Sequence, residues 1–262
     1  MIVNADSMQV YRELRVVTAR PSDGDEAAVR HALYGFVAAS EAYSAGRYVR
    51  DVADVLAKAE VEGLRPIIVG GTGLYFLALL EGLSPVPTIP DDVRAYWRAE
   101  AERLGASELH AVLVARDPVM GEKLRASDPQ RVTRALEVLE ATGQSLAVWQ
   151  QTAGVPVIAS EACEKVVILP DREVIYARAD RRFDAMVMGG ALEEVAALGA
   201  LGLDPALPAM RALGVPQLLS FQRGELALEV AVGEAKAETR RYIKRQMTWL
   251  KRNMISWDRC VL

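Results

Sequence analysis

The carboxylate in Asn4-Ala5-Asp6-Ser7-Met8-Gln9-Val10-Tyr11 follows directly on an apolar run, Met1-Ile2-Val3. In an open α/β sheet the ligand crevice lies beyond the carboxyl ends of the strands, so Asp6 stands where a side chain can take a proton from a bound substrate. A second apolar run, Ile67-Ile68-Val69, breaks into Gly70-Gly71-Thr72-Gly73 and then a helical pattern. Backbone amides there can face a ligand, and Thr72 adds a hydroxyl at the rim. A tight turn packing helix on sheet explains the glycines equally well. Arg178 and Arg182, four apart on a helical segment read as lying near its start, form a plausible clamp for a diphosphate. The alternative is a solvated face paired with Asp180 or Glu173. Between Lys236 and Arg252 seven Lys/Arg face one acid, Glu238, an excess of six positive charges, with Gln246, Thr248 and Trp249 interleaved. Such a surface suits a phosphate backbone with polar or stacking contacts, although a solvated helix face carries charge in the same way.

The elements that must position these groups follow from periodicity. Apolar runs at residues 1–3, 66–69 and 166–169 each lead into a turn and an amphipathic helix, an α/β signature. Residues 48–62 place Val49, Val52, Val55, Leu56 and Ala59 on one face with Gly63 after the end, as a crossover helix between parallel strands should. After Pro85-Val86-Pro87-Thr88-Ile89-Pro90 the pattern turns wholly helical, through 93–104 and 107–115. Asp128-Pro129 then reads as a helix N-cap with proline in the first turn, displaying Arg131 and Arg134 opposite Val132, Ala135, Leu136 and Leu139. The expected organisation is an α/β core over 1–88 and 141–262, interrupted by a helical insertion over 89–140. A last helix is expected from about Glu225 to Met254, with Ile243, Met247, Leu250 and Met254 along one stripe.

Composition narrows the classes. With 31 Lys+Arg against 35 Asp+Glu the formal charge is -4, so any nucleic-acid surface must be local. Two cysteines and two histidines are too few and too scattered for a disulfide framework or a zinc site. No apolar run approaches the roughly 18 residues of a membrane span, and no secretory leader is evident, so a cytoplasmic chain with no membrane partner is expected.

Taken together the stretches resemble the tRNA dimethylallyltransferases, which place an isopentenyl group on N6 of the adenosine next to the anticodon. The carriers are residues 4–11, Thr18-Ala19-Arg20-Pro21, Ala42-Tyr43-Ser44-Ala45-Gly46-Arg47, Val69-Gly70-Gly71-Thr72-Gly73-Leu74-Tyr75, residues 128–138 and Lys244-Arg245-Gln246-Met247-Thr248-Trp249-Leu250. The resemblance implies a P-loop-NTPase-like open parallel sheet flanked by helices, with the insertion gripping the tRNA anticodon stem. It implies catalytic roles for Asp6, as general base, and Thr72, and a diphosphate site at Arg178 and Arg182. It implies tRNA contacts from Ser7, Met8, Gln9, Gln130, Arg131, Val132, Thr133, Arg134, Arg211, Gly214, Lys244, Arg245, Gln246, Thr248 and Trp249. Dimethylallyl diphosphate and the tRNA anticodon stem-loop are the implied partners, Mg2+ the implied cofactor, and a monomer is expected.

The chain departs from that family where the family has a further strand and a Gly-Pro-Thr-Ala-Ser-Gly-Lys-Ser/Thr loop ahead of the strand that carries Asp6. No Gly-x4-Gly-Lys-Ser/Thr string occurs in the 262 residues, so the P-loop ligand for the metal is missing. The expectation is a start assigned too far downstream, with about forty residues belonging ahead of Met1, the usual length of a strand, loop and helix unit. Val17 stands where the family usually has Gly, and Gly35 where an acid is common. Two rival readings follow: a small-molecule kinase, which would not need the basic C-terminal helix, and a tRNA-binding remnant unable to hold diphosphate.

Overall fold

The computed structural model describes residues 1–260. Strand β1 (Ile2–Asn4) is followed by the capped helix α1 (Asp23–Ala28), β2 (His31–Ala32), α2 (Ala45–Val61), β3 (Ile67–Val69) and α3 (Gly73–Leu80). The three strands form a parallel sheet in the order β2-β1-β3, with Val3 opposite Ala32 on one side and Ile68 on the other. Parallel strands need crossovers, and α1 lies in the one from β1 to β2 and α2 in the one from β2 to β3. Ser44 caps the first turn of α2 by accepting the Arg47 N–H, and Gly63 ends it at φ +64, in the left-handed region that only glycine adopts cheaply.

A separate compact unit spans Glu81–Pro156. It holds α4 (Asp91–Arg116), α5 (Pro118–Lys123), α6 (Pro129–Thr142) and α7 (Leu146–Trp149) around Trp97, Leu109, Leu113, Met120, Val132, Leu136 and Ala147. Gly105, at φ +73, breaks α4 into the two helical runs legible in the sequence. Asp128 caps α6 by accepting the Arg131 N–H, with Pro129 in the first turn. The unit is wider at both ends than 89–140, because Ala147 of α7 is buried in its core and the Gly82 backbone packs on that of Gly154.

The chain then returns to the first unit through β4 (Val166–Ile168), α8 (Arg172–Met186), α9 (Leu192–Ala200), α10 (Val215–Gln222), the long α11 (Leu228–Asn253) and β5 (Asp258–Cys260). The described residues do not form one continuous sheet. β4 pairs only with β5, in parallel, so the strands fall into a three-stranded and a two-stranded group. Ile67 and Val69 of β3 and Val166 and Ile168 of β4 are each about half exposed, since strands of three residues paired on one side cannot cover both faces. The core of this unit gathers Val3, Val10, Leu14, Tyr48, Val52, Leu79, Phe183, Leu198, Val215, Leu218 and Ala235.

Glu194 of α9 ties the first loop to this core. Its carboxylate accepts the backbone N–H groups of Arg15, Val16 and Val17, which would otherwise be unpaired in the turn. Gly214 (φ +91) opens α10, and a Cβ there would press on the Phe183 ring at 2.7 Å.

Candidate active site

The site is built on Asn4, the last residue of β1, whose side chain is fully buried. Its Oδ1 accepts the Asp6 N–H at 2.8 Å, and its Nδ2 donates to the Asp6 and Leu33 carbonyls at 2.9 and 3.0 Å. A three-bond amide of this kind fixes the chain as it leaves the sheet, and so fixes the direction of the next side chains. Asp6 is half-buried, and its Oδ1 accepts the Met8 N–H at 2.8 Å and, more distantly, the Gln9 N–H at 3.4 Å. Its other oxygen, Oδ2, faces the Gly71 turn, 3.7 Å from where a Cβ on Gly71 would stand.

The glycine loop after β3 closes on Asp6 because its backbone packs directly on β1. A Cβ on Gly70 would overlap the Ala5 carbonyl, so the position admits no side chain. The Ala5 N–H bonds the Val69 carbonyl, and the Thr72 N–H returns to the Ala5 carbonyl at 3.1 Å. Thr72 Oγ1 accepts the Ser7 N–H at 3.0 Å and lies 3.3 Å from Ser7 Oγ. Asp6, Ser7 and Thr72, far apart in sequence, therefore share one rim.

The third wall is α11. Gln246 donates from Nε2 to the Gly71 carbonyl at 2.8 Å, and the Trp249 ring lies so close on Gly73 that a Cβ there would overlap it. The Asp6 charge acts on three tyrosines. Burial, and after it the Asp6 charge, pushes Tyr34 up to about 12, and burial, then Tyr11 and then Asp6, raises Tyr75. Tyr242 of α11 is raised by burial of its hydroxyl end and then by Asp6, although the residue keeps 38 % of its surface in solvent. Asp6, one acid among phenols and hydroxyls at a strand end, can accept a proton from a bound nucleophile.

Other expected residues stand elsewhere or are already engaged. Gln9 donates to the Thr18 and Ala19 carbonyls, so its amide holds a turn. Met8 packs against the core. In the second unit Gln130 and Arg131 are exposed, Arg131 pairs with Asp128, and Arg134 pairs with Glu137. Val132 and Thr133 point inward, the Thr133 hydroxyl donating to the Pro129 carbonyl, so side-chain contact with RNA is closed to both. Arg211 is exposed, whereas Gly214 is buried beneath Phe183.

Arg178 and Arg182 lie in the second and third turns of α8 rather than near its start, because Asp171 caps the helix by accepting the Glu173 N–H. Both are exposed, and among the described residues neither shares an ion pair or hydrogen bond with Asp6, Ser7 or Thr72. Asp180 does not neutralise them, since it is bonded to Arg240 of α11.

The basic stripe is weaker than its sequence count. Lys236 and Arg240 pair with Asp184 and Asp180 across the α8–α11 contact, while Arg241 and Arg245 share Glu238. Lys244, Lys251 and Arg252 are the exposed cations of that stretch with no ion pair among the described residues, and the Thr248 hydroxyl donates to the Lys244 carbonyl. A count along one helix misses acids delivered by another.

The site residue that sequence reasoning passed over is Asn4. Its signal was present as a lone amide at the last position of an apolar strand, where a polar side chain must find partners if it is buried.

Among the described residues no three of His, Cys, Asp and Glu converge, and no helix is long and apolar enough to cross a membrane. The family model described as IPP transferase matches residues 9–253. The chain is 53% identical over 98% of its length to a tRNA dimethylallyltransferase of Parvibaculum lavamentivorans, covering 81% of that protein. It is 52% identical to one from a Bradyrhizobium strain, over 98% of this chain and 84% of that one. Among solved structures, the tRNA isopentenylpyrophosphate transferase of Bacillus halodurans superposes with a TM-score of 0.68 at 28% identity, over 99% of this chain and 80% of that one. That likeness bears out the P-loop-NTPase-like α/β core expected from the sequence. On a family match across nearly its whole length, joined to relatives at half identity, the chain belongs to the IPP transferase family.

Proposed function

We propose that this chain transfers a dimethylallyl group from dimethylallyl diphosphate to N6 of the adenosine next to the anticodon in tRNA, with Asp6 as the general base. The observation that carries the reading is the constrained carboxylate itself. Asp6 Oδ1 is occupied by backbone N–H groups while Oδ2 faces Gly71, in the loop whose Thr72 hydroxyl accepts the Ser7 N–H. In the transfer, the N6 lone pair forms a bond to the allylic carbon as that carbon's bond to the diphosphate oxygen breaks. The diphosphate leaves with the electron pair, and the N6 proton passes to Asp6 Oδ2. Holding the amine, base and allylic carbon together is worth much of the barrier, because adenine N6 is a poor nucleophile. The base must leave the anticodon-loop stack, at a cost of a few kcal/mol that contacts in the site offset. Ser7 and Thr72 supply hydroxyls for that purpose, and Lys244, Lys251 and Arg252, exposed and without an ion pair among the described residues, supply charge for the RNA backbone.

Arg178 and Arg182 are exposed cations of the right chemistry for the leaving diphosphate. For Mg2+ the chain offers one carboxylate, Asp6, with the Ser7 and Thr72 hydroxyls. That set would fit only an ion held chiefly by the substrate's own diphosphate.

A second reading is a tRNA-binding chain impaired in transfer. It is favoured by one observation, that among the described residues Arg178 and Arg182 share no ion pair or hydrogen bond with Asp6, Ser7 or Thr72. Incubation with tRNA, magnesium and labelled dimethylallyl diphosphate separates the two. Label in the RNA supports the transferase. Tight tRNA binding with no label in the RNA overturns it in favour of the second reading.

A further inference from the structure

We infer that Gln246 and Trp249 are positioning residues, which set the Gly70–Gly73 loop from α11 and thereby aim Thr72 at the reacting groups, rather than contacts to the tRNA. The inference rests on the transferase reading above. Its geometry centres on a single peptide unit, the one joining Gly71 to Thr72. The carbonyl of that unit accepts the Gln246 Nε2–H at 2.8 Å, and its N–H donates to the Ala5 carbonyl at 3.1 Å. A peptide plane gripped at both ends cannot rotate without losing two hydrogen bonds. The Cα that follows carries the Thr72 hydroxyl, which accepts the Ser7 N–H beside Asp6. Gln246 is thus linked through one rigid plane to the residue next to the proposed base.

Trp249 acts one residue further on. It stands three positions after Gln246, so both project from the same face of α11. Its ring covers Gly73, the first residue of α3. The loop is therefore held at Gly71 by a hydrogen bond and at Gly73 by van der Waals contact, and both clamped positions are glycines because a Cβ would occupy the space of the clamp. Lys244, Arg245 and Thr248 on the same stretch are exposed, whereas Gln246 and Trp249 are partly buried. The motif that reads in sequence as one RNA-facing segment is divided by the fold into an outward charged face and an inward clamp.

The test is Gln246→Met, which keeps the length of the side chain and removes its N–H, assayed for transfer with tRNA and labelled dimethylallyl diphosphate. The clamp predicts that kcat falls about five- to tenfold, the size expected for one hydrogen bond, while the KM and Kd for tRNA stay within about twofold. Gly71→Ala, whose methyl would overlap Gln246 Nε2, should show the same split, and the double variant should be no worse than the poorer single one. A raised tRNA Kd with kcat unchanged would assign Gln246 to the RNA instead, and no change in either overturns the inference.

Amide hydrogen exchange decides the point without turnover. Residues 71–73 should exchange about five- to tenfold faster in Gln246→Met, with α6 unchanged. If the wild-type chain transfers nothing, the transferase reading fails on its own. Unaltered exchange in the variant then removes the clamp separately.

Discussion

Replacing Asn4 with alanine tests the claim that one buried amide sets the direction in which Asp6 leaves the sheet. The wild-type side chain is fully buried and makes three hydrogen bonds, accepting the Asp6 N–H and donating to the Asp6 and Leu33 carbonyls. Alanine leaves one N–H without its partner and deprives two carbonyls of a donor. A stranded buried group costs about 1–3 kcal/mol, and carbonyls fall at the low end because their second lone pair can be satisfied elsewhere. The sum is about 3–4 kcal/mol. For a chain of this size each kcal/mol lowers the midpoint of thermal unfolding by about 2–4 °C, so a fall of roughly 6–16 °C is expected by calorimetry or circular dichroism. The transfer rate, measured well below the new midpoint, should fall as well, because Asp6 loses two of the bonds that orient its backbone. A drop of less than about 3 °C, with transfer intact, would refute the reasoning. It would mean that water or a shifted backbone replaces the amide, and that Asp6 is positioned by the glycine loop alone.

Asp6→Asn should abolish transfer while leaving tRNA affinity within about twofold, and measurable turnover in that variant would remove Asp6 from the base role. Gly73→Ala should displace the Trp249 ring, read as a red shift and solvent quenching of tryptophan fluorescence; an unchanged spectrum would show that the ring does not rest on Gly73. Lys244→Ala should reduce the salt slope of tRNA binding by about one, whereas Arg240→Ala, whose guanidinium is bonded to Asp180, should leave the slope near the wild-type value. Equal slopes for the two variants would count against the division of the basic helix. Alkaline unfolding is also expected. Tyr34 is raised to about 12 by burial and by Asp6, so the folded chain keeps a proton that the unfolded chain releases near 10; stability is therefore lost as pH rises from about 10 through 12. Tyr34→Phe should flatten that part of the stability profile, and an identical profile would show that Tyr34 does not contribute.

Local physics made much of this protein legible before any fold was in hand. The helix α2 could be read from its apolar spacing and from Gly63 after its end, and α6 from Asp128-Pro129, because caps and periodicity act within a few residues of chain. The places of Asp6 and Thr72 were legible for the same reason, each lying just beyond an apolar strand where a sheet exposes its ligand edge. The roles of Gln246 and Trp249 were not. Within the sequence they belong to a cationic run, and only the packing of α11 against the glycine loop turns them inward.

Charge shows the same division. The excess of positive charge from Lys236 to Arg252 is a property of the sequence, but its neutralisation by Asp180 and Asp184 depends on α8 lying alongside. Sequence therefore determined which elements form and where a proton acceptor could stand, since those depend on covalent neighbours and short-range hydrogen bonds. Tertiary structure decided which residues stand beside Asp6, which cations of α11 remain without an ion pair among the described residues, and that Asn4 holds the backbone of Asp6, since those depend on contacts between residues as far apart as Gly71 and Gln246.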